Sequence, residues 1–283
     1  MHRQHRRADV DRGDAEAGGG EWPDGAAAGQ VGPHDEPLHR DAGGAWRADE
    51  QHFAPVAGLI THAVEQHAAG TGLQVTRLAF EILGVIPAQE SEVLVETLRP
   101  GRTIQLLEAT MTVAGRTVVR GRAWLLSRQD TAAVAGGEPE PMPPPAQFPE
   151  WDGPATWPGG YIASLDIRRS ADAAPGRASA WLSTAVGLLD GEPVGPLARY
   201  VGLIDTANGI AVRQAPGEWM FPNLDLTVHL HRQPVGGPVG LDTTVVFGPD
   251  GVGLTSSVLH DALGAVGRAE QVLTVRPLGA HAP

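Results

Sequence analysis

The chain has 283 residues and a formal charge of −12, with 21 basic residues against 33 acidic ones; that balance, with no basic stripe, argues against general nucleic-acid binding. It contains no cysteine and no lysine, which removes disulfides, thiolate metal sites, cysteine nucleophiles, Schiff-base chemistry and the P-loop lysine. With 42% hydrophobic and 19% charged residues it has the makings of a globular core, yet no apolar run nears the roughly 18 residues of a membrane helix and no apolar signal core opens it, so a soluble cytoplasmic protein is expected.

In chain order, Met1 to about Asp35 is polar and aperiodic and cannot order itself. Residues 1–44 are therefore read as a disordered or non-native tail, whose His2, His5, His34 and His39 show no metal-ligand spacing. Trp46 to His52 leads into a helix over about Ala54–Ala69, with Pro55 in its first turn and Val56, Leu59, Ile60, Ala63 and Val64 on one face. His62 and His67 on this helix read as surface histidines. Strands follow at Leu73–Leu83, Glu90–Arg99, Thr103–Val113 and Thr117–Ser127. Pro100-Gly101 and Ala114-Gly115 turn the last three into an antiparallel meander. A helix with one apolar face beside such a sheet must lie across it, which makes residues 45–129 an α+β unit.

Residues 130–158, with the run EPEPMPPPAQFPEWDGP, form a proline-rich linker that no helix or central strand tolerates. Trp151 and Trp157 are placed to pin it to a domain surface. The second unit, 159–277, is predicted to begin with strands at Gly160–Arg168 and Arg177–Leu188. A helix over Leu197–Gln214 comes next, and then strands at Asn223–Arg232, Val239–Phe247, Gly253–His260 and Ala265–Arg276. Residues 278–283 are a short tail. Asp205 sits beside the apolar run of that second helix, where an acid is costly unless it is hydrogen-bonded or used.

The two units repeat each other. AGLITHAV at Ala57–Val64 matches VGLIDTAN at Val201–Asn208, and Asp205 falls on Thr61. A shared Gly-Arg-Ala sets Arg268 on Arg122, and Pro234 falls on Pro87, so three anchors share nearly one offset. On the same offsets Asn223 falls on Thr76 and Gln271 on Leu125.

A duplicated helix-and-antiparallel-sheet unit is the double-hotdog arrangement. The stretches VETLRPGRTIQLLEATMTVAGRTVV, NLDLTVHLHRQP and VGRAEQVLTVRP resemble the acyl-CoA thioesterase II-like family of double-hotdog proteins over about Ala45–Pro277. That resemblance implies an Asp on the second helix, a Thr or Asn opening the next strand and a Gln on the last strand, here Asp205, Asn223 and Gln271. It also implies hydrolysis of a fatty acyl-CoA thioester in lipid metabolism, without a bound cofactor or metal, and association of hotdog sheets into a homo-oligomer. A carboxylate that orients or deprotonates water, with amides that accept and donate, needs no covalent intermediate, in keeping with the absence of a G-x-S-x-G elbow. Binding CoA phosphates calls for positive charge, which points to Arg232, Arg268 or Arg102. Two other readings stay open. One is a non-catalytic acyl-CoA- or lipid-binding protein on the same fold. The weaker one is a hotdog enoyl-CoA hydratase, whose helix carries Asp and His five residues apart, where this chain has Asp205 and Ile210.

Overall fold

The computed structural model describes residues 42–44, 46 and 49–279, with the backbone of residues 29–30. Most of the expected tail over 1–44, including its four histidines, lies outside the described residues, as does the end of the tail over 278–283. The elements in chain order are β1 (Gly29–Gln30), α1 (Phe53–His67), β2 (Leu73–Ile82), β3 (Ser91–Arg99), β4 (Ile104–Val113) and β5 (Arg116–Ser127). After the linker come α2 (Gly160–Ala163), β6 (Leu165–Arg169), β7 (Arg177–Thr184), α3 (Pro196–Ile204) and α4 (Ala207–Ile210). The chain closes with β8 (Trp219–Met220), β9 (Asp225–Leu230), β10 (Val239–Phe247), β11 (Val252–Asp261), β12 (Gly264–Thr274) and β13 (Arg276–Pro277). Among the described residues, no helix is long and apolar enough to cross a membrane.

One antiparallel sheet of eleven strands runs β1-β3-β4-β5-β2-β9-β12-β11-β10-β7-β6. Its centre is the seam where β2 of the first unit pairs with β9 of the second, Leu78 opposite Val228. On either side the order is the same: β5, β4 and β3 outward from β2, and β12, β11 and β10 outward from β9. The expected double hotdog is thus present as one continuous sheet with two long helices on one face. Alternation along the strands puts Leu107, Ala109, Met111 and Val113 of β4 inside, and their burial on the helices drives the closure.

The two helices run antiparallel and touch at the repeated Gly-Leu-Ile words. A Cβ built on Gly58 would lie 3.0 Å from Gly202 Cα and 3.0 Å from Ala198 O, and one on Gly202 would lie 3.7 Å from Gly58 Cα. The residues that match in sequence are therefore the ones that meet in space. At one end of the crossing, Glu65 of α1 accepts a hydrogen bond from the Ala198 N–H in the first turn of α3. At the other end, the start of α1 meets the end of α3.

Four expectations are corrected. His62 is buried, not at the surface, because the loop before α3 folds over it and Glu192 Oε1 bonds its Nε2 at 3.0 Å. The strand expected from Gly160 begins only at Leu165, after the helical turn α2, whose N-cap is Gly159 with φ 119°. The single helix over Leu197–Gln214 is two helices broken at Asp205. Seam register places Asn223 on Leu73 rather than Thr76: Asn223 bridges Leu273 as Leu73 pairs Ser127, and Thr76 is the extra residue of a bulge. The linker is pinned as expected: Trp157 is buried and donates from Nε1 to Gly209 O at 2.9 Å, and Trp151 packs on the core beneath the Arg169 guanidinium.

Candidate active site

The break after α3 makes the site. Thr206 N–H bonds back to Leu203 O instead of continuing the helix to Gly202 O. Gly202 O takes the Tyr161 hydroxyl at 3.2 Å, and that hydroxyl also bonds Thr206 Oγ1 at 2.8 Å. A tyrosine from α2 thus satisfies a carbonyl that the interrupted helix leaves open, and Asp205 becomes the last-turn cap, turned inward and only 4% exposed.

Asp205, Asn223 and Gln271 meet at one point. Asp205 Oδ1 accepts from Asn223 Nδ2 at 2.7 Å and from Gln271 Nε2 at 2.8 Å. Asn223 also donates to Asp225 O, which fixes its amide just ahead of β9. Gln271 is 1% exposed on the inner face of β12, and its Oε1 has no partner among the described residues. Burial raises the Asp205 carboxyl to about 7, opposed by the two amide hydrogen bonds. In the first unit the matching positions are Thr61, whose hydroxyl bonds back to Ala57 O, and the apolar Leu73 and Leu125.

A fourth residue, absent from the sequence-based set, faces the carboxylate. His52 Nδ1 lies 3.6 Å from Asp205 Oδ2, and the ring stacks on Tyr161 with centroids 4.2 Å apart. His52 is the N-cap of α1, and its Nδ1 accepts from Ala54 N–H at 3.1 Å. Burial pushes its imidazole down to about 3. Its one sequence signal was position, the polar residue immediately before the first apolar residue of a helix.

A cavity of about 600 Å³ opens between the helices. Val56, Leu59, Leu188, Leu203 and Tyr200 are among its walls, and it reaches Gln51, Gly202 and Tyr161 beside the carboxylate. Asp205, Asn223 and Gln271 do not line it; Tyr161 is the residue that touches both the cavity and the His52–Asp205 pair.

The expected CoA-binding arginines are elsewhere. Arg232 is committed to buried Asp261, donating from Nη1 and Nη2 at 2.6 Å each. Arg268 is exposed on the face of β12 opposite Gln271, and Arg102 is exposed in the β3–β4 turn. The arginine on the cavity wall is Arg199 of α3, which sequence reasoning passed over. Burial alone would raise the Asp261 carboxyl, but hydrogen bonds from Arg232, Val235 and Leu263 hold it below its ordinary value. Its contribution to stability is therefore present above the unfolded-state value and lost as pH falls below it. Asp261→Asn is expected to cost about 2 kcal/mol, less than a fully buried pair because Arg232 is partly exposed. The check is a lower urea midpoint with unchanged kcat.

The profile of the acyl-CoA thioesterase N-terminal domain matches residues 43–126, and that of the acyl-CoA thioesterase C-terminal domain matches residues 139–275. The chain belongs to the acyl-CoA thioesterase family. Both halves of the thioesterase are thus matched in order, the C-terminal match beginning within the proline-rich segment, in agreement with the expectation of a thioester hydrolase. A search of curated protein sequences finds no match. Among solved structures, a candidate thioesterase from Novosphingobium aromaticivorans is 21% identical, with a TM-score of 0.65 over 84% of this chain and 92% of that one. A hotdog-fold protein of unknown function from Alicyclobacillus acidocaldarius is 17% identical, with a TM-score of 0.65 over 90% and 93%. An acyl-CoA thioesterase II from Mycobacterium marinum is 19% identical, with a TM-score of 0.62 over 81% and 90%. At such identities these likenesses speak for the fold.

Proposed function

We propose that this thioesterase hydrolyses a fatty acyl-CoA with a water molecule activated by Asp205, Asn223 and Gln271, without a covalent intermediate. The observation that carries the reading is the convergence of Asn223 and Gln271 on one oxygen of Asp205. Two amide donors fix Oδ1, and Oδ2 is left to accept a proton. Gln271 Oε1 is a second acceptor at the same place, so one water can donate to both and present its lone pair to the thioester carbonyl. A carboxyl that titrates near neutrality is a stronger base than an ordinary aspartate, and its charged form is available at physiological pH. Gln271, whose two functions act on Asp205 and on the water, aligns them; Asn223 holds the carboxylate. The acyl chain occupies the apolar cavity between the helices, with the thioester beside Tyr161.

The test is a panel of acyl-CoAs of increasing chain length, with release of free CoA thiol followed. Turnover that rises with chain length until the cavity is full is expected. Tight binding without thiol release across the whole panel would favour the alternative of a non-catalytic acyl-CoA-binding protein.

A further inference from the structure

We propose that His52 is a positioning residue of this site, whose Nδ1 is held as a hydrogen-bond acceptor by the start of α1 and receives the hydrogen bond of Asp205 once that carboxylate has taken up the proton of water. The proposal rests on Asp205 being the base.

Helix N-caps are ordinarily Ser, Thr, Asp or Asn. Here a histidine does the capping, and it does so with Nδ1 toward Ala54 N–H. A nitrogen that accepts this bond carries no proton, so the ring hydrogen is on Nε2. The same Nδ1 is 3.6 Å from Asp205 Oδ2. Two acceptors then face each other whenever Asp205 is ionised; when Asp205 is protonated, its O–H shares the Nδ1 lone pair with the Ala54 N–H as the 3.6 Å gap closes to hydrogen-bond length. A charged His52 paired with Asp205 would instead need a proton on Nδ1, pointing at the Ala54 N–H. Burial opposes it as well, holding the imidazole at about 3 while the carboxyl is raised to about 7.

The titratable groups at this point are Asp205 at the end of α3, His52 at the start of α1, and Tyr161 of α2, whose hydroxyl is raised above its ordinary value by burial. Among the described residues, Asn223 just ahead of β9 and Gln271 of β12 bring neutral amides to the carboxylate. In the reaction, an O–H bond of water breaks as its oxygen bonds the carbonyl carbon, and the proton goes to Asp205 Oδ2. There His52 Nδ1 accepts it in a bond shared with the Ala54 N–H. When the C–S bond breaks, the proton leaves Asp205 for the thiolate sulfur, and the atoms balance to acid and thiol. His52 changes no charge; it favours the protonated carboxyl and so makes Asp205 a better base.

The first test needs no turnover. In the full chain labelled with ¹⁵N-histidine, His52 should show a proton on Nε2 and none on Nδ1 down to about pH 4. Its Nδ1 resonance should move in one step near the Asp205 value of about 7, and Asp205→Asn should abolish that step. A proton on Nδ1, or a His52 titration that is the same in Asp205→Asn, overturns the proposal.

The second test is kinetic. His52→Asn keeps a good helix cap but is too short to face Oδ2. The acid limb of its kcat/KM profile should move to lower pH by about one unit, because the protonated carboxyl loses its acceptor. Its kcat should fall about tenfold with little change in KM, and its melting temperature should stay near that of the parent. A profile and kcat equal to the parent's would refute the assignment. If the ¹⁵N step is present but no acyl-CoA is hydrolysed by the parent, the paired geometry stands and the hydrolase reading fails; the two failures are therefore separable.

Discussion

Asp205→Asn is expected to lower kcat for acyl-CoA hydrolysis by about 10²- to 10⁴-fold, the range of a lost general base, with a smaller change in KM. The same substitution should make the protein more stable at pH 8. An asparagine here can accept both amides on its oxygen, as Oδ1 does now, and donate its NH₂ to His52 Nδ1, so that every facing group is matched. The sign follows from the raised carboxyl. A folded-state value near 7 against an ordinary 3.8 means that the folded chain holds the extra proton between those values. Asp205 therefore withdraws stability as pH rises from about 4 to about 7, by at most about 4 kcal/mol. His52 works in the opposite direction: its folded-state value near 3 against 6.5 withdraws stability as pH falls from about 6.5. In the parent the two slopes offset each other through the weakly acidic range. In Asp205→Asn the His52 slope is left alone, so the melting temperature should drop on acidification where the parent's stays level. An inactive variant with no gain at pH 8 would mean that the carboxylate is not buried as described.

The second large effect is expected at the helix crossing. Gly58→Leu places a side chain where even a Cβ stands 3.0 Å from two backbone atoms of α3 and 3.1 Å from Leu188 Cδ1. Backbone cannot retract as the end of a flexible side chain can. Forcing packed elements apart costs about 1–3 kcal/mol and sometimes more; two backbone contacts put this site at the upper end. Since α1 carries His52 and α3 carries Asp205, hydrolysis should fall along with stability. Chemical denaturation and activity at a temperature where both forms are folded separate the two losses. Gly70→Ala, in the turn after α1 where a Cβ meets nothing but φ is 80°, serves as a control that strains the chain without touching the crossing.

Much of the architecture was legible because it depends on local chemistry. Pro100-Gly101 and Ala114-Gly115 sit in tight turns, so the strands they separate were bounded correctly to within a residue or two. The repeated Gly-Leu-Ile word was legible because two helices that cross closely need a small residue at the same place on each. Asp205, Asn223 and Gln271 are singled out through the family resemblance, with Asp205 also marked by its place beside the apolar run of a helix.

What escaped depends on partners far away in the chain. Nothing near Asp205 announces that its helix breaks; the carbonyl freed by the break is satisfied by Tyr161, 41 residues before Gly202. His52 is joined to Asp205 only because the two helices run antiparallel, which a sequence pattern does not state. The connection from helix to first strand is longer in the second unit, from Ile204 to Asp225 against His67 to Leu73, so the offset grows between helix and strand and the counterpart of Asn223 moves from Thr76 to Leu73. Arg232 looked available because its partner, Asp261, lies two strands further on.

The crossing at Gly58 and Gly202 has a consequence for how such a protein can arise. Two identical units joined about that axis would bring identical residues to both ends of the helix pair. Any histidine at one helix start would recur at the other, and any acid at one helix end would face its own copy across the molecule. A chain in which the units are fused escapes that constraint. It can set His52 at the start of one helix and Gly195 at the start of the other, Asp205 on one and Thr61 on its mate. One end can then carry the polar cluster around Asp205 while the other is held by the hydrogen bond between Glu65 and the Ala198 N–H. Fusion lets the molecule keep a symmetric frame while discarding symmetric chemistry.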